Sequence, residues 1–186
     1  MNTLTARMCL EIAHHEALVR QAYYDSAGVL TWSIGITSAS GHRVERYIGQ
    51  PQTVRRCLEV YVWLLRTKYL PQVLDAMGPD LSEAQLAAAL SFHWNTGEIG
   101  KATWVRRWRD GDVPGAERAI MWYVTPAALR PRREAERDLF FRGIWSNDGT
   151  VPEYTRLTAK RTPVWASRIE RDVTAELAEL LSEGAA

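Results

Sequence analysis

The sequence predicts an α+β fold that is mostly helical and carries a small hairpin sheet near its N-terminus. Two β-type runs, Tyr23-Tyr24 and Val29 to Ile36, flank a turn-forming segment and together predict the hairpin. Further along, Ser82-Glu83-Ala84-Gln85 forms a capping box that opens a nearly all-apolar helix. Because a helix that is apolar all round is buried, this helix should form the centre of the helical part.

The size and charge of the chain set its general class. It has 186 residues, of which 46% are hydrophobic and 24% charged, as is ordinary for a globular protein that buries a real core. This length fits one domain, or two small lobes that share a linking helix. The formal net charge is +1, so no global field draws the chain to nucleic acid or to a membrane.

The N-terminal elements are predicted as a helix followed by the hairpin. A helix is expected from about Thr3 to Glu16, where Met8 and Ile12 lie four residues apart. The segment Ser26-Ala27-Gly28 has turn chemistry. We expect residues Thr37 to Gly49 to supply a third strand and a loop of the same sheet.

The middle of the chain predicts a series of helices. Thr53 is positioned to cap a long helix, which Pro71 should kink or end. The apolar helix after Ser82 should stop at Asn95-Thr96-Gly97. Three shorter helices are expected, around Trp104–Arg109, around Gly115–Tyr123, and over Arg132–Phe141 with Gly143 as its stop.

The C-terminal segment has an apolar residue at every fourth position. This stripe predicts a helix from about Pro163 to Leu181, on which Arg168 and Asp172 form an i,i+4 pair; its members are Trp165, Ile169, Val173, Leu177 and Leu181. Docking of this helix back on the domain is the favoured arrangement, with dimerisation and partner binding as alternatives.

The cysteines, the histidines and the start of the chain predict the thiol state, the metal content and the absence of a signal peptide. Cys9 and Cys57 have no Cys-x-x-Cys spacing, and we expect reduced, buried thiols. Neighbouring histidines such as His14 and His15 diverge by about 100° on a helix, so we expect no metal site. Charged residues near the start of the chain, Arg7 among them, argue against a signal peptide, and no run of residues is long enough to span a membrane.

Three residues carry the candidate chemistry. Glu16 and Asp25 are carboxylates on different elements, and Thr31 places a hydroxyl beside the second of them. Such a pair suits glycoside hydrolysis, because one carboxyl protonates the leaving oxygen while the other prepares a water molecule. Each residue also has a structural alternative: a surface glutamate, a turn aspartate bonded to its own backbone, and a threonine chosen for β-propensity.

The Glu-x8-Asp-x5-Thr spacing resembles the catalytic signature of the tailed-phage lysozymes (endolysins or muramidases, glycoside hydrolase family 24). Two later segments resemble motifs of the same family in the same order. Ser91 to Gly97 is similar to its Ser-Phe-x-Phe-Asn-x-Gly helix end, and Arg132 to Glu136 to its Arg-Arg-x-x-Glu helix. The match runs from about residue 4 to residue 143.

The resemblance implies a lysozyme-like fold over residues 1–143. Within it we expect an N-terminal lobe at 1–52, a linking helix at 53–77 and a helical lobe at 78–143. Residues 144–186 lie beyond the family pattern and are expected to form a C-terminal helical extension.

The resemblance also implies a reaction. It is inverting hydrolysis of the β-1,4 bond between N-acetylmuramic acid and N-acetylglucosamine in peptidoglycan, for host lysis or wall penetration by a phage or phage-like element. Glu16 is then the general acid and Asp25 the base, and Thr31 holds the attacking water. No cofactor is implied.

The resemblance implies three supporting residues. Trp94 and Asn95 are expected to contact the N-acetyl sugar, with core packing and a simple helix stop as their alternatives. Arg132 is expected to orient Glu16, with a plain salt bridge as its alternative. Eight tryptophans are many for this length, and we expect most of them to pack in the core and one or two to contact sugar.

The expected partner is peptidoglycan, with no nucleic acid and no membrane insertion. The chain is expected to be a monomer made in the cytoplasm without a signal peptide, and to act on the wall in the periplasm after release through a holin lesion or from a particle.

Three departures from the family pattern support a different hypothesis. Ala17 and Ser33 replace glycines, and Ile36 replaces a histidine. They motivate a catalytically weak module that binds peptidoglycan or a particle partner. A third hypothesis is a helical nucleic-acid-binding protein that uses Arg106, Arg107, Arg109 and Arg130–Arg137.

Overall fold

The computed structural model describes residues 3–183, and these divide into two compact units. The first, here called the sheet unit, combines Thr5–Leu64 with the chain from Asn147 onward. The second, here called the helical unit, is Leu65–Ser146 together with the chain up to Leu4. The sheet unit is therefore built from two separate stretches of sequence.

The sheet unit begins with the predicted helix and hairpin. Helix α1 (Ala6–His14) is capped by Thr5, whose hydroxyl accepts a hydrogen bond from the amide of Met8. Strands β1 (Leu18–Tyr24) and β2 (Leu30–Ile34) pair antiparallel, which confirms the hairpin. The third strand, β3 (Ile36–Thr37), begins one residue before the segment in which it was predicted, and two 3₁₀ turns follow it.

The end of the chain completes this sheet. Strand β4 (Thr150–Tyr154) runs parallel to β1, and β5 (Arg168–Asp172) pairs antiparallel with β4. The strand order is β3-β2-β1-β4-β5. Helices α2 (Val54–Leu64) and α8 (Thr174–Glu183) pack against each other, and α8 also packs on α1.

The helix predicted from about Pro163 to Leu181 is therefore wrong before Thr174. Residues 165–167 form a 3₁₀ turn and residues 168–172 form β5. The predicted Arg168–Asp172 pair is absent, and Arg168 instead pairs with Glu170 because residues two apart share one face of a strand. The prediction that this segment docks back on the domain is confirmed by the packing of α8.

A buried carboxylate joins the added strands to the hairpin. Glu153 on β4 is fully buried, and Arg20 of β1 approaches its Oε1 atom to 3.0 Å while Arg171 of β5 binds Oε2. At the start of the added segment, the amide of Asn147 donates to the buried carboxylate of Glu11 at 3.0 Å. Because a buried carboxylate requires such partners, these contacts fix the extension to the core of the sheet unit.

Ser33 shows how one departure from the family pattern is accommodated. The residue has a left-handed backbone, with φ of 56°, where the pattern has glycine. This conformation costs an L-residue about 1–2 kcal/mol. The buried Ser33 hydroxyl donates to the carbonyl of Cys57 at 3.1 Å, a bond that offsets about 1 kcal/mol of that cost.

Both cysteines are buried and reduced, as predicted. They are Cys9 on α1 and Cys57 on α2, both within the sheet unit. Burial raises the pKa of the Cys57 thiol to about 12. This thiol is therefore protonated, and hence a poor nucleophile, at neutral pH.

The helical unit begins where α2 gives way to a π turn. The turn covers Leu65–Tyr69, and helix α3 (Leu70–Met77) follows it with Pro71 in its first turn. Proline has no N–H, and its ring clashes with the carbonyl four residues earlier, so regular α-helix cannot continue through it. The interruption predicted at Pro71 thus takes the form of a π turn.

The remaining helices lie close to where the sequence predicts them. Helix α4 (Glu83–Thr96) begins with the predicted capping box between Ser82 and Gln85, and it ends at Gly97 in the left-handed conformation. The buried positions of α4 run continuously from Leu86 to His93. Three shorter helices follow: α5 (Thr103–Arg109), α6 (Val113–Ile120) and α7 (Arg130–Arg142), the last ended by Gly143.

The architecture is α+β, as predicted, with helices predominating and one small sheet. Over residues 3–183, no helix has the length and apolar character needed to cross a bilayer.

Candidate active site

The two candidate carboxylates, Glu16 and Asp25, line the same cavity of the sheet unit. The cavity has a volume of about 690 Å³ and is open to solvent. Its walls come from the end of α1, the end of β1 and the C-terminal segment. The other lining residues are His14, His15, Ala17, Tyr23, Tyr24, Ser26, Pro152, Tyr154, Thr162, Pro163, Trp165 and Arg168.

Glu16 is positioned by the short connection between α1 and β1. Its amide donates to the carbonyl of Ala13 at 3.0 Å, which continues the last turn of the helix beyond His14. Ala17 packs against the apolar cluster of Val19, Tyr23 and Tyr154. The structure therefore accommodates the methyl group of Ala17, where the family pattern has glycine, next to Glu16.

Asp25 occupies the turn between β1 and β2 and holds it together. Its Oδ1 atom accepts hydrogen bonds from the amides of Ala27 at 2.9 Å and Val29 at 2.8 Å. Gly28 supplies the positive φ of 76° that this turn requires. Asp25 is thus a turn aspartate bonded to nearby backbone, which is the alternative to a catalytic role given for it above. Its Oδ2 atom takes no part in either bond.

Thr31 lies on β2 directly opposite Tyr23 of β1. Cross-strand partners point to the same face of a sheet, so Thr31 lies beside the cavity but is not among the residues that line it. Its side chain is almost fully buried, and its hydroxyl donates to the carbonyl of Val29 at 3.1 Å. The structure therefore brings Glu16 and Asp25 to one cavity and places Thr31 on the adjoining strand.

Tyr23 is a cavity residue that the sequence analysis missed. Burial, and then the negative charges of Glu16 and Asp25, raise the pKa of its phenol well above the ordinary value. The phenol is therefore a neutral O–H group at any pH the protein meets. The available signal was its position in the β-type run two residues before Asp25.

The remaining candidates, Trp94, Asn95 and Arg132, belong to the helical unit. Trp94 is half-buried, and its ring lies 4.6 Å from that of Tyr69 between centroids. Asn95 lies inside the last turn of α4, so the helix stop is Gly97 and not Asn95. The contacts of Trp94 and Asn95 with sugar, and of Arg132 with Glu16, stay predictions.

The second and third sequence motifs form one buried hydrogen-bond network between α4 and α7. At its centre Glu136 accepts from Ser91 Oγ at 2.7 Å, from Arg132 Nε at 3.0 Å, and from Arg133. Arg133 in turn donates to Asn95 Oδ1 at 2.7 Å. These residue types at these spacings are therefore explained by packing inside the helical unit.

The buried arginines also bear on the nucleic-acid hypothesis. Arg132 is 8% exposed and Arg133 is fully buried, so neither presents its charge on the surface of α7. Burial lowers the pKa of Arg133 from its usual value. Within residues 3–183, no three histidine, cysteine or acidic side chains are grouped as a metal site requires.

His93 predicts a loss of stability in acid. Its ring is almost fully buried and bonded to Gln72 at 2.6 Å, and burial, with the charge of Lys68, lowers its pKa from 6.5 to about 4. Between pH 6.5 and pH 4 the unfolded chain binds a proton at this residue more readily than the folded chain does. The free energy of unfolding therefore has its full value above pH 6.5 and falls as the pH drops toward 4. We expect a loss of about 2 kcal/mol between pH 7 and pH 5, measured by urea unfolding.

The control for this effect is His93→Gln, which does not titrate. Between pH 7 and pH 5, the free energy of unfolding of this variant should fall by about 2 kcal/mol less than that of the wild type. Equal losses in the two proteins would contradict the assignment to His93.

Comparison with known proteins agrees with this description. The phage lysozyme family model matches residues 13–136. Two of the similar solved structures are an endolysin from the Escherichia coli O157:H7 phage FAHEc1 (TM-score 0.66, 23% identity, 79% of this chain and 98% of that one) and the muramidase domain of SpmX from Asticaccaulis excentricus (0.58, 24%, 76% and 99%).

A mutant of P22 lysozyme is also similar, with a TM-score of 0.59 and 22% identity over 75% of this chain and 99% of the other. At these identities the solved structures establish the fold. No curated protein sequence matches the chain. The matched residues 13–136 include both carboxylates of the cavity, whereas the strands β4 and β5 lie outside them.

Proposed function

The chain belongs to the phage lysozyme family and is a peptidoglycan hydrolase, and we propose that Glu16 and Asp25 are the two carboxylates with which it cleaves the glycan. The observation that carries this proposal is their placement in one open cavity inside the segment that the family model matches. They reach that cavity from different rigid elements, the end of α1 and the turn after β1.

In this proposal Glu16 is the general acid and protonates the glycosidic oxygen as the bond breaks. It is half-buried and directly precedes Ala17, which packs against the apolar cluster of Val19, Tyr23 and Tyr154. Asp25 is the base. Two backbone amides fix one of its oxygens, which leaves the other oriented to take a proton from water.

The other predicted residues take supporting roles. Thr31 holds the attacking water; its hydroxyl proton is directed at Val29, so its oxygen can accept from that water. Trp94 and Asn95 contact the N-acetyl sugar, and Arg132 orients Glu16. The substrate bond is the β-1,4 bond between N-acetylmuramic acid and N-acetylglucosamine.

An inverting mechanism follows if water attacks directly with the help of Asp25. Inversion requires carboxyl groups separated by roughly 6.5–9.5 Å, so that one water molecule fits between them and the sugar. We expect the new reducing ends released from purified sacculi to appear first with the configuration opposite to that of the bond. Proton NMR within the first minutes, before mutarotation, measures this ratio.

Asp25→Asn supplies the matched test of the base. This amide keeps an acceptor oxygen for the turn but cannot take a proton, so release of reducing ends should fall by roughly a hundredfold or more. Retention of configuration in the wild type, or unchanged activity of Asp25→Asn, would overturn the role of Asp25.

The route to the substrate is part of the same proposal. We infer that the protein works as a monomer on the cell wall in the periplasm. It reaches the wall either after a holin opens the inner membrane or as part of a phage particle.

A further inference from the structure

One wall of the cavity comes from the C-terminal segment, beyond the residues that the family model matches. This wall contains Tyr154 from the end of β4, Trp165 from the 3₁₀ turn before β5 and Arg168 from the start of β5, and it also includes Thr162 and Pro163. The added strands therefore do more than complete the sheet. They also shape the cavity that holds Glu16 and Asp25.

Trp165 is the most exposed large side chain of this wall. It is 79% exposed and lines the cavity. The buried ring of Tyr154 supports it edge-on, with centroids 5.4 Å apart and planes at 90°. An indole that rests against Tyr154 is thus open to solvent in the cavity that Glu16 and Asp25 also line, as a ligand-binding platform requires.

The backbone that carries Trp165 is held on both sides. Ser167, which is buried, donates its hydroxyl to the carbonyl of Val164 at 2.7 Å and accepts from the amide of Arg156 at 3.1 Å. Before it, the carbonyl of Arg161 accepts from the amide of Tyr24 at 2.8 Å, directly next to Asp25. The platform is therefore fixed relative to the base, and binding costs little ordering of the protein.

From this placement we propose that Trp165 binds a pyranose ring of the glycan strand and adds one saccharide contact to the active site. The apolar C–H face of a sugar ring stacks on an indole, while polar groups at the rim, such as Thr162 and Arg168, suit its hydroxyl and amide groups. This proposal deepens the proposed function and rests on the assignment of the cavity as the active site.

Binding without turnover tests this directly. In a Glu16→Gln background, the affinity for a β-1,4-linked N-acetylglucosamine hexamer is measured by isothermal titration calorimetry. Trp165→Ala should weaken binding about tenfold, and Trp165→Phe should recover most of the loss because it keeps an aromatic face. In the active protein acting on sacculi, Trp165→Ala should raise KM by a similar factor with kcat nearly unchanged.

Trp122→Ala is the matched control. Trp122 is 61% exposed but belongs to the helical unit and does not line this cavity, so its loss should not change hexamer affinity. Unchanged affinity of Trp165→Ala overturns the proposal, and so does an equal loss in both tryptophan variants. Failure of the proposed function is distinguishable, because full activity of Glu16→Gln would refute the acid while leaving the binding comparison intact.

Discussion

Glu16→Gln is expected to lower the release of reducing ends from purified sacculi by about a thousandfold. Glutamine has nearly the shape of glutamate but no proton to give, so the glycosidic oxygen would leave without protonation. The connection between α1 and β1 is held by backbone bonding, and the change should therefore leave the urea unfolding midpoint close to that of the wild type. Loss of turbidity of permeabilised cells gives a second reading of the same rate.

The control is Glu179→Gln, the same exchange at an exposed position of α8 where the side chain pairs with Arg55 at 3.2 Å. An exposed pair contributes little, so activity and stability should both stay near the wild-type values. Equal clearing of cells by the wild type and Glu16→Gln would refute the acid assignment.

Glu136→Ala is expected to destabilise the protein by about 3–5 kcal/mol. The carboxylate is 1% exposed and balances two guanidinium groups, of which that of Arg133 is fully buried. Its removal leaves a buried positive charge without a counter-ion. Urea unfolding followed by far-UV circular dichroism measures the loss, and Glu136→Gln, which keeps the volume and one acceptor, should lose less.

A surface pair between α6 and α7 is the comparison for this change. Glu117 of α6 pairs with Arg142 of α7, and both side chains are partly exposed. Glu117→Ala should cost at most about 1 kcal/mol. If the two alanine variants are equally stable, the network around Glu136 does not hold α4 against α7.

The helical unit could be predicted from sequence because its signals are local. The capping box at Ser82, the glycines at the ends of α4 and α7, and the apolar run inside α4 each depend on residues within one or two turns. The buried network could not be derived in this way. Two of its members, Ser91 and Glu136, lie more than forty residues apart, and no local signal links them.

The strands β4 and β5 were missed for a physical reason. Pro152 lies inside β4 with a strand on each side, and a proline there argues against a strand because it cannot donate a ladder hydrogen bond. Residues four apart share one face of a strand as well as one side of a helix, so the apolar stripe that begins at Trp165 fits either element. In the structure Trp165 and Ile169 are exposed, whereas Val173 and Leu177 are buried.

In the candidate site, too, some residues could be predicted from local sequence and others could not. Glu16 and Asp25 could be paired from their spacing, because a hairpin turn and the end of the preceding helix lie close together in sequence. Tyr154 and Trp165 could not be assigned to the cavity, because their place depends on a parallel pairing between β1 and β4 across more than a hundred residues.

The position of β4 beside β1 also constrains the order of events during synthesis. Residues 5–64 leave the ribosome long before residues 147–183, yet both stretches form one unit. Until the later stretch emerges, the nascent hairpin lacks its neighbouring strand, and Glu153 is not there to pair with Arg20. In this cell-wall hydrolase the sheet unit is therefore completed only after residues 147–183 have been translated.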